Sequence, residues 1–307
     1  MMKDKKSAFF IATEKGYFCL RKCIETGYGK NICFVVSFQE KNVKKSYDQD
    51  IKELCNKEGI YFYLWKNVKD EIVKKCRQSQ LSIVFAVGWR FLLPVEINAI
   101  TEFGLIVFHD SLLPKYRGFA PTPTAILCGD KKLGVTALLA AEKVDHGDII
   151  LQKEFAIDEE DYIEDIIKKQ CIVYANMLVD IYEMIKKGEL KRKKQNEEDA
   201  VYCVWRNLAD CKIDWNLSAE KIRNLVRAVS APYMGAYCFY RKKKIIVLRA
   251  EIADEIKFAI RQCGKIWSIS NNQPTVICGC GMLKITRAEY EDGSEVIFDK
   301  LRENLSC

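Results

Sequence analysis

Continuous apolar runs separated by helical segments constrain this chain most. SAFFIAT, NICFVVSF, IYFYLW, LSIVFAVG and GLIVFH follow one another between residues 7 and 109. Between them lie GYFCLRKCIET, which ends near Gly27, SYDQDIKELCNKEG, closed by Gly59, and the polar-faced VKDEIVKKCRQSQ. Strands that are apolar throughout are buried on both faces, and amphipathic helices between them supply the cover. The pattern predicts an α/β domain with a doubly wound, mostly parallel sheet.

GVTALLAAE and DIILQKEFAI read as two further strands, and a long helix is predicted from about Asp161 to Lys187. The run KKGELKRKKQNEEDA is charged and poor in apolar residues, so it reads as a solvated linker. Beyond it, SAEKIRNLVRAVS is a helix with Ser218 as N-cap. The runs GAYCFY, KIIVLRAEI, GKIWSIS, TVICGCG and MLKITRAEY then suggest a small antiparallel β-barrel of OB type. The expected organisation is a catalytic domain over 1–190, a charged linker over 191–202 and the small barrel over 203–307.

Several function classes lose support. The most apolar stretch, LSIVFAVGWRFLLPVEINAI, is interrupted by Arg90, Pro94 and Glu96, so no membrane span is expected. The N-terminal apolar run is short and reads as a first strand rather than a signal peptide. Fourteen cysteines include no C-x-x-C pair, and there are only two histidines, so no metal site is expected and the thiols read as reduced and cytoplasmic. After the first strand stands ATEKGY, without the glycine fingerprint of dinucleotide binding. A net charge of +7 suits an anionic ligand or simply solubility.

One of the two histidines, His109, closes the fifth apolar run and opens HDSLLPKYRG. In open α/β sheets ligands bind beyond the carboxyl ends of strands, which is where this imidazole falls. Lys115 and Arg117 follow in the turn, and KVDHGDII places Asp145 and Asp148 in a later turn. A carboxylate reaching His109 would orient it and raise its basicity. A buried histidine beside a salt-bridged turn fits the same spacing.

HDSLLPKYRGFAP followed by GVTALLAAEKVDHGDII resembles the folate-dependent formyltransferase family. That family includes methionyl-tRNA, glycinamide ribonucleotide and sugar-nucleotide formyltransferases. Ser111 to Gly118, Gly134 to Thr136 and Asp145 to Asp148 match its motifs in order and spacing, and WRNLADCKIDW and NLVRAVSAPYMGAY extend the likeness into the second domain. The resemblance implies a Rossmann-like fold and formyl transfer from N10-formyltetrahydrofolate to an amine. It assigns His109 as base or proton shuttle and Asp145 as its partner. It places Ser111, Leu112, Leu113, Pro114, Trp89, Phe91 and Leu92 beside the folate, and Arg117, Gly118 and Arg206 beside the amine substrate. His146 takes an incidental place on the turn.

The expected acceptor is a nucleotide-linked amino sugar. The tRNA enzymes carry a basic, glycine-rich loop after the second strand; here SFQEKNVKKSYDQDIKELC, with Lys41, Lys44 and Lys45, has no glycine and runs almost directly into a helix. Methionyl-tRNA is the alternative acceptor, and the resemblance leaves a homodimer open. One departure matters: the family's Asn, two residues before the histidine, is Val107 here. That Asn donates to the formyl oxygen, so a catalytically weakened paralogue that binds folate or sugar nucleotide is a further reading.

Overall fold

The computed structural model describes residues 5–40, 43 and 45–306, and it divides into two compact units. Unit 1 takes 5–40, 43, 45–121, 132–156 and 166–204; unit 2 takes 122–131, 157–165 and 205–306.

Unit 1 follows the apolar pattern. β1 (Ser7–Ile11), α1 (Thr13–Glu25), β2 (Ile32–Ser37), α2 (Asp48–Lys57), β3 (Tyr61–Leu64), α3 (Trp65–Val68), α4 (Ile72–Gln78), β4 (Ile83–Val87), α5 (Ile97–Ile100) and β5 (Leu105–His109) alternate along the chain. The stretch expected as one helix over 68–80 is broken: a 3-10 turn at Lys69–Glu71 separates α3 from α4. β6 (Arg117–Gly118), β7 (Lys132–Leu139), β8 (Ile149–Ala156), α7 (Ile163–Lys187) and β9 (Tyr202–Cys203) follow, and α6 (Pro121–Leu127), between β6 and β7 in sequence, lies in unit 2 apart from Pro121. The seven-stranded sheet runs β3-β2-β1-β4-β5-β7-β8. Its first five strands are parallel, and β7 and β8 join antiparallel.

Alternation along each strand divides the core between two faces. Phe9, Ile11, Val35, Phe85, Ile106 and Phe108 pack on α1, α2 and α7. Ala8, Phe10, Val36, Val84, Ala86 and Leu105 pack on residues of α3, α4 and α5. Strand order reverses between β1 and β4, so a crevice is expected at their carboxyl ends.

The long helix starts at Ile163 rather than Asp161. Asp161 instead accepts from the Asp158 N–H (2.7 Å), and Asp165 accepts from the Tyr162 N–H (3.0 Å), so the residues before Ile163 are spent on the cap. The run 191–202 is no free linker: all of it lies in unit 1. Lys193 exchanges backbone hydrogen bonds with Ile149 (2.7 and 2.9 Å), and β9 pairs parallel with β6.

In unit 2, Ser218 caps α8 (Ala219–Val229) by accepting from the Lys221 N–H (3.2 Å). The short strand runs expected after it are β10 (Ala236–Tyr240), β11 (Lys243–Ala253), β12 (Ile266–Ser270), β13 (Gln273–Ile277) and β14 (Met282–Tyr290). With β15 (Leu305–Ser306) they make a six-stranded sheet ordered β12-β13-β14-β11-β10-β15, antiparallel throughout. It curls until its edges meet: Ile266 N donates to Glu303 O (2.9 Å) and Leu305 N to Gly264 O (2.8 Å). Trp215 is buried within this unit. Residues 122–131 and 157–165 belong to unit 2 although they interrupt the first domain in sequence. Arg227 of α8 donates to the Asp161 carbonyl (2.8 Å) and the Asp158 carbonyl (2.9 Å), which ties the second of these segments down.

Among the described residues no helix is long and apolar enough to cross a membrane.

Candidate active site

His109 is the last residue of β5 and is buried. Its Nε2 lies 2.8 Å from the Tyr116 carbonyl oxygen. A carbonyl only accepts, so Nε2 carries a proton and Nδ1 is the variable position. Nδ1 faces Asp145 Oδ1 at 3.5 Å, and both side chains are over 90% buried. The other carboxylate oxygen, Oδ2, accepts from the Gly118 N–H (2.9 Å). Two residues 36 positions apart are thus joined in a pair that can share one proton, with the far side of each partner fixed by backbone.

The Asp145 turn is tight. Asp145 adopts φ +60°, an uncommon left-handed conformation that aspartate tolerates better than most residues. A Cβ on Gly147 would fall 1.7 Å from the Leu139 carbonyl oxygen, so only glycine allows the turn to lie this close to β7.

The Ser111–Pro114 turn is built from inside. Thr136 Oγ1 donates to the Ser111 carbonyl (2.6 Å) and accepts from the Leu113 N–H (3.0 Å). Gln152 Nε2 donates to the Leu113 carbonyl (2.9 Å) and to Thr136 Oγ1 (2.8 Å). The Ser111 hydroxyl is buried and donates to the Lys115 carbonyl (2.6 Å). Leu112 packs on the bare backbone of Gly134, where a Cβ would sit 2.4 Å from its Cδ2. Leu113 is buried beside Leu138 and Ile149, and Val107 packs against this cluster. Strand alternation puts Val107 on the His109 face of β5, where its isopropyl group offers no donor.

Asp110 takes the opposite face. It meets Lys15 Nζ (2.7 and 2.6 Å) and accepts a hydrogen bond from the Tyr174 hydroxyl. Burial raises the Asp110 pKa, but the Lys15 charge and the hydrogen bonds from Lys15 and Tyr174 outweigh it and hold the carboxyl below its ordinary value.

Thr13 and Trp89 follow the carboxyl ends of β1 and β4, at the switch point. Thr13 Oγ1 and Trp89 Nε1 are buried polar atoms without a hydrogen-bond partner. Trp89 packs edge-on against Phe10 (5.3 Å), Phe38 (5.2 Å) and Trp65 (5.3 Å). Phe91 and Leu92 are exposed, Phe91 lying stacked on Trp65. Trp89 is therefore a packed side chain with one polar edge unmet rather than an open stacking surface.

The other sequence candidates have these partners. Arg117 is fully buried, and all five of its N–H donors are engaged: two by Glu197, two by Gln195 Oε1 and one by the Tyr202 hydroxyl. It has no donor left for an anionic substrate, and its role as a substrate contact is not what the geometry offers. Gly118 serves Asp145 through its N–H. Arg206 lies in unit 2, donating to the Asp210 carbonyl (3.0 Å). Lys115 is exposed with Nζ 4.5 Å over the Tyr116 ring. His146 is not idle: its Nε2 accepts from the Tyr202 hydroxyl (3.1 Å), and its Nδ1 donates to the Val144 carbonyl (2.7 Å). Lys41 and Lys44 lie outside the described residues; Lys45 pairs with Asp50 (2.9 Å).

Thr136, Gln152 and Gln195 went unassigned in the sequence because their work is done on backbone groups. Cysteine chemistry is disfavoured in the core. Burial pushes the thiols of Cys23, Cys55 and Cys76 up to about 12, which keeps them un-ionised at neutral pH.

The family described as Formyl transferase matches residues 5–181, and the one described as Formyl transferase, C-terminal domain, matches 207–301. A methionyl-tRNA formyltransferase of Caldanaerobacter subterraneus subsp. tengcongensis is 31% identical over 278 residues, covering 89% of this chain and 88% of that protein. Among solved structures, the sugar 3N-formyl transferase WlaRD, determined with dTDP and 5-N-formyl-THF, superposes with a TM-score of 0.69 at 18% identity, covering 94% of this chain and 98% of that one. An N-formyltransferase from Helicobacter canadensis, in complex with folinic acid and dTDP-3-aminofucose, gives 0.69 at 18% identity over 92% and 98% of the two chains. With both domains matched in order, the chain belongs to the formyl transferase family and is a formyltransferase that uses N10-formyltetrahydrofolate.

Proposed function

We propose that this formyltransferase acts on the amino group of a nucleotide-linked amino sugar, with the His109–Asp145 pair handling the proton that the amine must lose. An ammonium ion has no lone pair with which to attack a formyl carbon, so a proton acceptor must sit beside it. His109 Nδ1 and Asp145 Oδ1 share that duty, because Nε2 is committed to the Tyr116 carbonyl.

The folate fits the switch-point crevice. Thr13 Oγ1 and Trp89 Nε1 are unmet buried polar atoms there, and a pterin carries hydrogen-bonding edges on a flat apolar body. Ser111 to Pro114, with Phe91 and Leu92, would flank it. The cosubstrate supplies the activated formyl group; the chain holds it and moves protons.

The acceptor reading rests on the segment between β2 and α2. It spans only residues 38–47 and contains no glycine. It offers no extended glycine-rich arm of the kind that enters an acceptor stem. The structural likeness to two sugar formyltransferases is compatible with this reading, although at 18% identity it speaks for the fold alone. The second reading, methionyl-tRNA as acceptor, draws on the 31% identical relative.

The test is a mass-spectrometric turnover screen. The protein and N10-formyltetrahydrofolate are incubated with UDP- and dTDP-linked amino sugars, and in parallel with methionyl-tRNA. A formylated sugar nucleotide is expected, with Asp145→Asn lowering the rate by about 10²- to 10⁴-fold. Formylated methionyl-tRNA with no sugar product would overturn the acceptor reading. Unchanged turnover in Asp145→Asn would overturn the proton assignment.

A further inference from the structure

We propose that Gln195, locked in place by Arg117, is a positioning residue for Asp145, and that residues 193–203 form a clasp holding the catalytic turn. The proposal rests on the assignment of Asp145 made above.

The Gln195 side chain has four hydrogen-bonding sites, and all are filled. Nε2 donates to the carbonyls of Asp145 (2.8 Å) and Gly147 (2.8 Å). Oε1 accepts from Arg117 Nε (3.0 Å) and Nη2 (2.7 Å). Reversing the amide would set its NH2 against a guanidinium and its oxygen against two carbonyls, so the network itself fixes the orientation. Arg117 is fixed in turn. Both terminal nitrogens meet the Glu197 carboxylate at 2.8 Å, and Nη1 also reaches the Tyr202 hydroxyl. Tyr202 closes the ring on His146, the neighbour of Asp145.

Backbone pairing completes the clasp. Lys193 pairs with Ile149 on one side of the Asp145 turn. On the other, Val201 N donates to Pro114 O (3.2 Å) and Arg117 N to Val201 O (2.8 Å). One segment thereby joins the turn that carries Asp145 to the turn that carries the Tyr116 carbonyl and the Gly118 N–H. Those are the groups that fix His109 and Asp145 respectively. Asp145 holds a left-handed backbone conformation, and its carbonyl is one of the two oxygens Gln195 grips. Gln195 touches none of the atoms that exchange the proton, so it acts through Asp145. Its place in a charged run disguised this: Gln195 sits between Lys194 and Asn196, where composition suggests solvent.

The closing experiment uses the full chain and the acceptor identified by the screen. Gln195→Glu keeps the size and the Arg117 contact but turns an acceptor toward the two carbonyls. Its kcat is expected to fall at least 30-fold, with KM for folate and acceptor within twofold of the parent. A double-mutant cycle with Asp145→Asn supplies the readout that a merely structural role would not move. In the Asp145→Asn background, Gln195→Glu is expected to change the residual rate by less than threefold. Equal losses in both backgrounds, or a Gln195→Glu enzyme of parental kcat, would overturn the clasp. Gln195→Met, which removes the donors without adding charge, repeats the cycle should Gln195→Glu fail to fold. An Asp145→Asn enzyme with full activity would instead strike at the functional assignment, so the two failures are distinguishable.

Discussion

Val107→Asn is the most informative single substitution, because it asks whether the apolar residue at this position limits the rate. Val107 and His109 lie on one face of β5, two residues or about 6.6 Å apart along the strand. An amide at 107 would therefore project beside the imidazole. A donor aimed at the developing oxyanion is worth about 2.7–4 kcal/mol, or roughly 10²- to 10³-fold in kcat. The structure sets an opposing cost. Val107 packs against Leu113, Leu138 and Ile149, and an amide in that setting loses about 1–3 kcal/mol when its hydrogen bonds are not replaced. In a domain of this size that lowers Tm by about 2–4 °C per kcal/mol. The stability cost is paid in the resting fold, whereas the donor acts as the carbonyl becomes tetrahedral, so the rate effect dominates the kinetics. Steady-state formation of the formylated product should show kcat rising about 100-fold, KM for folate holding within a few-fold, and Tm falling by several degrees. A folded Val107→Asn protein whose kcat matches the parent would refute the reasoning, because it would mean that another group already stabilises the oxyanion.

Two further outcomes follow from the packing around the site. The Asp110 carboxyl is held below its ordinary value by Lys15 and Tyr174, so it contributes stability above the unfolded carboxylate range and loses it as pH falls through the lowered folded value. Asp110→Asn should cost about 1–3 kcal/mol at neutral pH and flatten the decline in Tm below about pH 4, as followed by thermal melts across pH; a parallel decline in both proteins would count against it. Gly147→Ala forces a Cβ into the Leu139 carbonyl, so calorimetry should show a loss of about 3 kcal/mol together with reduced turnover, and a parental Tm would show that the turn can shift without cost.

The strands were legible for a simple physical reason. A strand buried on both faces is apolar along its length, and β1, β2, β4 and β5 follow that rule apart from the end residues Ser7, Ser37 and His109, so their runs stand out against the polar faces of the helices. His109 was legible because an imidazole that ends such a run stands at the carboxyl end of the sheet, where ligands bind. Arg117 misled for the opposite reason. Its type suggests an anion from outside, yet Glu197, 80 positions away, supplies one from within. The break between α3 and α4 and the start of α7 at Ile163 were hidden because both depend on local turn and cap bonds rather than on apolar spacing.

The same contrast explains why the candidate site was only half visible. His109 and Asp145 are identified by side chains, and a sequence records side chains directly. What holds them is mostly backbone: the Tyr116 carbonyl on His109, the Gly118 N–H on Asp145, and the Asp145 and Gly147 carbonyls under Gln195. Every residue carries such groups, so no residue type marks them, and only the fold decides which ones converge. Val107 belongs to the visible half. A missing side-chain donor is a change of letter, whereas a missing backbone donor would require a change of fold. The turn that aims Asp145 is intact in this chain, down to the glycine that lets it approach β7. On the proposed reading the altered step is stabilisation of the oxyanion and the geometry for proton transfer is retained, and the kinetics of Val107→Asn and Asp145→Asn read those two halves separately.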